Sequence, residues 1–227
     1  MSASGDSAGS ATAPGPAPGP APGAAPAPAA SRAPVRVLCI AGSPRRHGNS
    51  EQLLDALALG VTEAGGEPVR LRVVDAAVTP CRGCNACSKT GRCVVTDGMD
   101  AIYPQLDAAD VIAIATPVFF ATVPAVLKAL YDRCQPYWAR RYVLGEPAEA
   151  TRRPGAILVV GGGGDPFGTT CAITSTRSVF AVLGVSADEI LEVVGPDAAS
   201  DITSRPEALA RAREIGRELV EKACVQG

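Results

Sequence analysis

Two short segments of this 227-residue chain hold residue types spaced for chemistry. From Gly42 to Ser50 the sequence reads Gly-Ser-Pro-Arg-Arg-His-Gly-Asn-Ser. From Cys81 to Cys93 it places Cys81, Cys84, Cys87 and Cys93 in the spacing C-x2-C-x2-C-x5-C. The first segment is suited to hold an anion. Ser43, Asn49 and Ser50 supply donors, Arg45 supplies a charged fork, and Gly42 and Gly48 let backbone come close to a ligand. It lacks the G-x-x-x-x-G-K-[ST] of a nucleotide-hydrolysing loop and the G-x-G-x-x-G of a dinucleotide site, which leaves a phosphate monoester as the better match. An ordinary polar turn, with Asn49 or Ser50 capping a helix, would contain the same residue types.

The second segment concentrates thiols. A [4Fe-4S] cluster needs four thiolates arriving from several directions, and two-residue spacers with Gly83 in a tight loop can supply them. Structural zinc is the chemical rival, although its usual frameworks separate two cysteine pairs by a dozen or more residues. Ordinary reduced thiols are the third reading. Arg82, Lys89 and Arg92 would offset the negative charge of a thiolate-bound group, or could simply be a solvated face. His47, the only histidine, lies in the first segment, facing solvent or phosphate rather than serving in proton transfer.

The elements that must position these segments alternate along the chain. The apolar run Val35 to Ala41 reads as a strand, followed by a helical face of Leu53, Leu54, Leu57, Ala58 and Val61. The anion loop is therefore a strand-to-helix turn, where unpaired N–H groups and the helix dipole favour negative charge. Further strands are expected at Pro68 to Val74, Asp110 to Thr116, Gly155 to Val160 and Ile190 to Val194. Between them lie helical patterns with Met99, Ile102, Tyr103 and Leu106 inward after a cap at Thr96 or Asp97, with Val126, Leu127, Leu130 and Cys134 in a stripe, and over Thr169 to Leu183. Ser204-Arg-Pro-Glu207 suggests a capping box opening a last helix. This pattern predicts an α/β domain over 35–227 with a doubly wound five-stranded parallel sheet in the order 2-1-3-4-5, whose ligand crevice lies between the carboxyl ends of strands 1 and 3.

Composition narrows the class. Residues 1–34 are almost all Ala, Pro, Gly and Ser, and read as a disordered tail without the large apolar run of a secretory signal. Eight cysteines in such a chain favour reduced thiols and a cytoplasmic setting. A net charge of -2 gives no footprint for nucleic acid, and no apolar run reaches membrane-spanning length.

Gly-Ser-Pro-Arg after the first strand, with Asn-Ser opening the helix, resembles the FMN-phosphate loop of the NADPH-dependent FMN reductase and iron-sulfur flavoprotein families. The cysteine segment resembles the compact motif of the latter, some of whose relatives keep fewer cysteines and work with flavin alone. Thr116-Pro-Val-Phe-Phe, at the end of the third strand, resembles the family loop that contacts the isoalloxazine, and Leu127 to Arg133 resembles the helix that follows it. The resemblance implies a flavodoxin-like fold. It also implies FMN held by Ser43, Arg45, Asn49 and Ser50 at the phosphate and by Pro117, Val118, Phe119 and Phe120 at the ring, with one phenylalanine in the core and one lining the site. Gly162, in the run Gly161 to Gly164 after the fourth strand, is expected beside the ligand, although the run could equally make a flexible turn, and the resemblance places the four cysteines at a [4Fe-4S] cluster. Asp132 and Arg133 read as structural. The stretch from Gln135 to Arg153 reads as an irregular solvated loop with a buried Trp138, or as a flavin lid or subunit contact whose arginines attract the NADPH 2′-phosphate.

The function implied is an FMN-dependent oxidoreductase coupling one-electron transfer through the cluster to two-electron flavin chemistry. Its partners would be a ferredoxin-like protein or small-molecule electron acceptor, with NAD(P)H as a possible co-substrate, in a homodimer or homotetramer. The rivals are a cluster-free NAD(P)H-dependent FMN or quinone reductase, and a non-catalytic electron carrier or zinc-bearing interaction protein.

Overall fold

The computed structural model describes Gly15 and residues 33–147, 151–164, 166–198 and 201–226. The expected tail, residues 1–34, lies almost wholly outside the described residues. By internal contacts the chain divides into Met1–Arg32 and Ala33–Gly227, and every element below belongs to the second unit.

Five strands form one parallel sheet in the order β2-β1-β3-β4-β5: β1 (Arg36–Ala41), β2 (Glu67–Arg72), β3 (Val111–Pro117), β4 (Gly155–Gly161) and β5 (Glu189–Val194). This is the flavodoxin-like order. β1 lies between β2 and β3 with Ala41 opposite Arg72 and Ala115, so its carboxyl end is flanked by both neighbours. Among the described residues, seven helices connect and cover the strands: α1 (Asn49–Glu63), α2 (Cys87–Thr90), α3 (Met99–Ala108), α4 (Ala125–Arg133), α5 (Gln135–Tyr142), α6 (Thr170–Leu183) and α7 (Pro206–Gln226).

Alternation along each strand sends side chains to two cores. Leu38, Ile40, Ile112, Ile114, Ile157 and Val159 pack with α3, α4 and α6 through Met99, Ile102, Leu127 and Phe180. Val37, Cys39, Val111, Ala113 and Leu158 pack with α1 and α7 through Leu53, Leu57, Ile215 and Leu219. Each fully buried Leu or Ile contributes about 1.5–3 kcal/mol relative to an exposed one. The second layer is drawn tight by two glycines: a Cβ on Gly60 would lie 1.8 Å from the Arg213 carbonyl oxygen, and one on Gly216 2.1 Å from that of Leu57.

Several local expectations are corrected. β2 ends at Arg72 because the buried Val73 turns inward in a 3₁₀ turn, Val73–Asp75. Ser204 donates its hydroxyl to the Asp201 carbonyl in a preceding 3₁₀ turn instead of forming a capping box, and α7 begins with Pro206 in its first turn. The first half of the supposedly irregular Gln135–Arg153 stretch is α5, started by Pro136 near its N-terminus. Tyr137 is its buried aromatic, while Trp138 is 40% exposed. Arg153 is committed to the carbonyls of Leu106, Ala109 and Leu183 at the entry to β4, and Arg141 to that of Ala181. Among the described residues, no helix is long and apolar enough to cross a membrane.

Candidate functional site

The carboxyl ends of β1, β3 and β4 open onto one cavity of about 80 Å³. It is lined by Ser43, Arg45, Gly48, Asn49 and Ser50 from the first loop, by Pro117, Val118 and Phe119 from the third, and by Gly162 after β4. The serines, asparagine and arginine on one side suit an anion, and the proline, valine and phenylalanine on the other suit an apolar ring. Ser43 is buried, and its hydroxyl oxygen accepts the Arg45 N–H at 3.1 Å, which leaves the hydroxyl hydrogen to donate elsewhere. Ser50 is buried beside it, and Arg45 is exposed at the rim. The first N–H groups of α1 have no partner within the helix and add donors.

Asn49 is placed at the cavity, but its side chain has another task. Its amide nitrogen donates to the Ala198 carbonyl at 2.9 Å and its amide oxygen accepts the Ile202 N–H at 3.1 Å, fastening α1 to the β5–α7 connection. That connection also brings Pro196 and Asp197 to the cavity. Neither was marked by the sequence reading, although Val194-Gly-Pro-Asp197 after a strand is a turn signal at the ligand edge.

Two of the glycines also have close neighbours within the fold. A Cβ on Gly42 would sit 2.4 Å from Leu127 Cδ2, so this position serves the packing of β1 on α4. A Cβ on Gly162 would lie 2.7 Å from an Asp197 carboxylate oxygen, so the close approach there is to Asp197.

A buried charge network supports the loop from behind. The Glu51 carboxylate, in the first turn of α1, accepts from Arg72 Nε at 2.8 Å, Arg70 Nη2 at 3.0 Å and the His47 N–H. Burial pushes this carboxyl up, but the bonds from Arg70, His47 and Arg72 outweigh it and hold it below the ordinary value. His47 has φ 55°, a left-handed conformation that the Glu51 bond stabilises.

At the third loop, Phe119 and Thr122 bond each other's backbone in both directions. Phe120 and Ala121 between them have φ 48° and 66°, the signature of a type I′ turn. The tight turn carries the Phe120 side chain into solvent, 99% exposed, while Phe119 is 36% exposed. Neither phenylalanine is in the core, and Phe120 does not line the cavity.

The cysteine segment makes a separate site. Cys81, Cys84, Cys87 and Cys93 line one cavity of about 220 Å³ together with Arg133, and none is in a disulfide. The two cavities share no lining residue. Backbone N–H donation from Ala86, then Arg82, lowers the Cys84 thiol below its ordinary pKa, whereas burial raises that of Cys87. Arg133, wholly buried at the end of α4, donates to the carbonyls of Thr79 at 2.9 Å and Val95 at 3.0 Å and to Asp97 at 2.6 Å. It thereby closes the base of the loop. Burial pushes the Asp97 carboxyl up, but bonds from Arg133 and from the Met99 and Thr79 N–H groups hold it well below the usual carboxylate range.

Residues 35–188 match the family model of NADPH-dependent FMN reductase. The chain belongs to that family. Membership implies FMN as the cofactor, in a family of FMN-dependent oxidoreductases. This family member is 36% identical over 128 residues to an iron-sulfur flavoprotein of Methanosarcina thermophila, covering 56% of the chain and 64% of that protein. To an iron-sulfur flavoprotein of Methanocaldococcus jannaschii it is 37% identical over 102 residues, covering 45% and 53%. The match thus spans somewhat over half the length of these relatives. The NAD(P)H:quinone oxidoreductase from Methanothermobacter marburgensis superposes with a TM-score of 0.58 at 22% identity, covering 82% of this chain and all of that one, a likeness of fold.

The residues fit both groups. The cavity with an arginine at its rim lies at the switch point between β1 and β3, where this fold binds its ligand. For the cluster, the donor set is four thiols around one cavity. Among the described residues, no three His, Cys, Asp or Glu side chains are grouped to hold a metal ion. A cluster takes one cysteine per iron, so its four thiolates stand around a cage instead of meeting at one ion.

Proposed function

We propose that this chain is an FMN-dependent oxidoreductase of the iron-sulfur flavoprotein type. When bound, FMN exchanges electrons singly or in pairs and a [4Fe-4S] cluster exchanges them singly, which suits exchange between a one-electron protein partner and a two-electron acceptor. Ser43, Ser50, the rim cation Arg45 and the N–H groups at the start of α1 hold the phosphate. Pro117, Val118 and Phe119 support the ring, with backbone N–H groups of that loop available to the flavin edge. Asp197, an acceptor at the same cavity, suits the ribityl hydroxyls. Cys81, Cys84, Cys87 and Cys93 hold the cluster.

The observation that carries this reading is the pairing of two cavities on one domain, one at the β1–β3 switch point lined by the serine-arginine loop and a separate one lined by four cysteines. Ferredoxin-like proteins and small acceptors are the partner classes this chemistry serves, with NAD(P)H a possible co-substrate and a homodimer or homotetramer the expected assembly. Anaerobic mixing with NADPH, NADH or reduced ferredoxin, followed by absorbance, tests the donor. Direct bleaching of the flavin by NADPH in an iron-free protein would replace this reading with a cluster-free reductase.

A further inference from the structure

Arg133 has more hydrogen-bonding capacity than its clamp uses. Its two terminal nitrogens donate to Thr79, Val95 and Asp97, but its Nε is buried and has no partner among the described residues. The side chain is 0% exposed and lines the cysteine cavity. A buried N–H without an acceptor costs about 1–3 kcal/mol, so such an atom calls for an acceptor that the folded chain alone does not provide. The cavity it lines gathers four thiols, Cys81, Cys84, Cys87 and Cys93, alongside the polar side chains of Arg82, Asn85, Asp132 and Gln135.

We propose that Arg133 is the positioning and potential-setting residue of the cysteine site, donating its Nε–H to a sulfur of the bound cluster while its other nitrogens lock the ends of the loop. The proposal rests on the cluster reading above. A hydrogen bond and a buried positive charge both favour the more negative, reduced cluster, and so raise its reduction potential. Asp97 opposes part of that charge at 2.6 Å. One guanidinium thus sets both the shape of the loop and the electron affinity of what it holds. Because Arg133 ends α4, which begins just after the ring loop, it also joins the two redox sites through about 13 Å of helix.

The test uses the full chain purified anaerobically, with iron and sulfide measured first. In protein labelled with 15N-arginine and carrying Arg82→Lys and Arg92→Lys, pulsed electron paramagnetic resonance of the reduced cluster should still show coupling to an arginine nitrogen. Redox titration supplies the second readout. Arg133→Lys should lower the reduced-to-oxidised ratio at a fixed potential at least tenfold, about 59 mV for a one-electron couple, while Asp97→Asn should raise it. A merely structural clamp would not move the two variants in opposite directions. Should Arg133→Lys fail to load, the nitrogen coupling and Asp97→Asn decide. Loaded protein without nitrogen coupling, or with Asp97→Asn shifting the potential downward, overturns the role of Arg133 alone. A chain that takes up neither iron nor sulfide overturns the cluster reading and this proposal together.

Discussion

The phosphate loop and the cysteine loop follow two neighbouring strands, β1 and β2, but they are built from opposite resources. The phosphate loop is seven residues, Gly42 to Gly48, between a buried strand and α1, with Ser43 and, in the first turn of α1, Ser50 buried and the Glu51 network behind it. Its shape is fixed by the fold. The cysteine loop runs between Thr79 and Asp97 with only the four-residue α2 inside it, and Cys81 and Cys84 are exposed. Its base is held by one arginine. The difference teaches that one loop is walled by sheet and helix, whereas the other depends on the Arg133–Asp97 pair that closes its base.

Four changes separate the two sites, taken from the largest expected effect. Cys84→Ser should abolish iron binding and leave FMN at its normal stoichiometry, since the cavities share no residue; metal analysis and flavin absorbance read both. Asp97→Ala removes one partner of a buried ion pair and should cost about 3–5 kcal/mol in denaturant melts, with FMN affinity changed much less. The pH dependence has a definite sign. Asp97 is held below its unfolded value of about 3.9, so its contribution is complete above that value and is lost as pH falls through the folded pKa. The variant should therefore lose less stability on acidification than the parent.

Ser43→Ala combined with Arg45→Ala should raise the FMN Kd roughly 100-fold, about 2.7 kcal/mol, without changing iron content. Isothermal titration of the apoprotein measures this, and normal retention would remove the phosphate assignment. Phe120→Ala should be smallest, within about 0.5 kcal/mol in stability and within twofold in FMN affinity, because the side chain is in solvent. A large loss of affinity would restore Phe120 to the ring site.

Strand order and the anion loop were legible because they depend on local pattern: apolar runs such as Val111 to Ala115, the helical face from Leu53 to Val61, and a glycine-serine turn between strand and helix. What escaped depends on partners distant in sequence. Asn49 was legible as a loop residue, but not its bonds to Ala198 and Ile202, about 150 residues away. Gly42 and Gly162 answered to Leu127 and Asp197. Phe119 and Phe120 have the same composition as a core pair, and only the positive φ values at Phe120 and Ala121 reveal a turn that turns the second outward. Arg133 read as structural, which it is, but its buried Nε was visible only in three dimensions.

The central claim, two redox groups on one domain, is tested most directly by measuring iron, acid-labile sulfide and FMN per chain after strictly anaerobic purification. The account predicts about four irons, four sulfides and one flavin. Flavin without iron or sulfide, persisting after reconstitution, would contradict it and leave a cluster-free reductase.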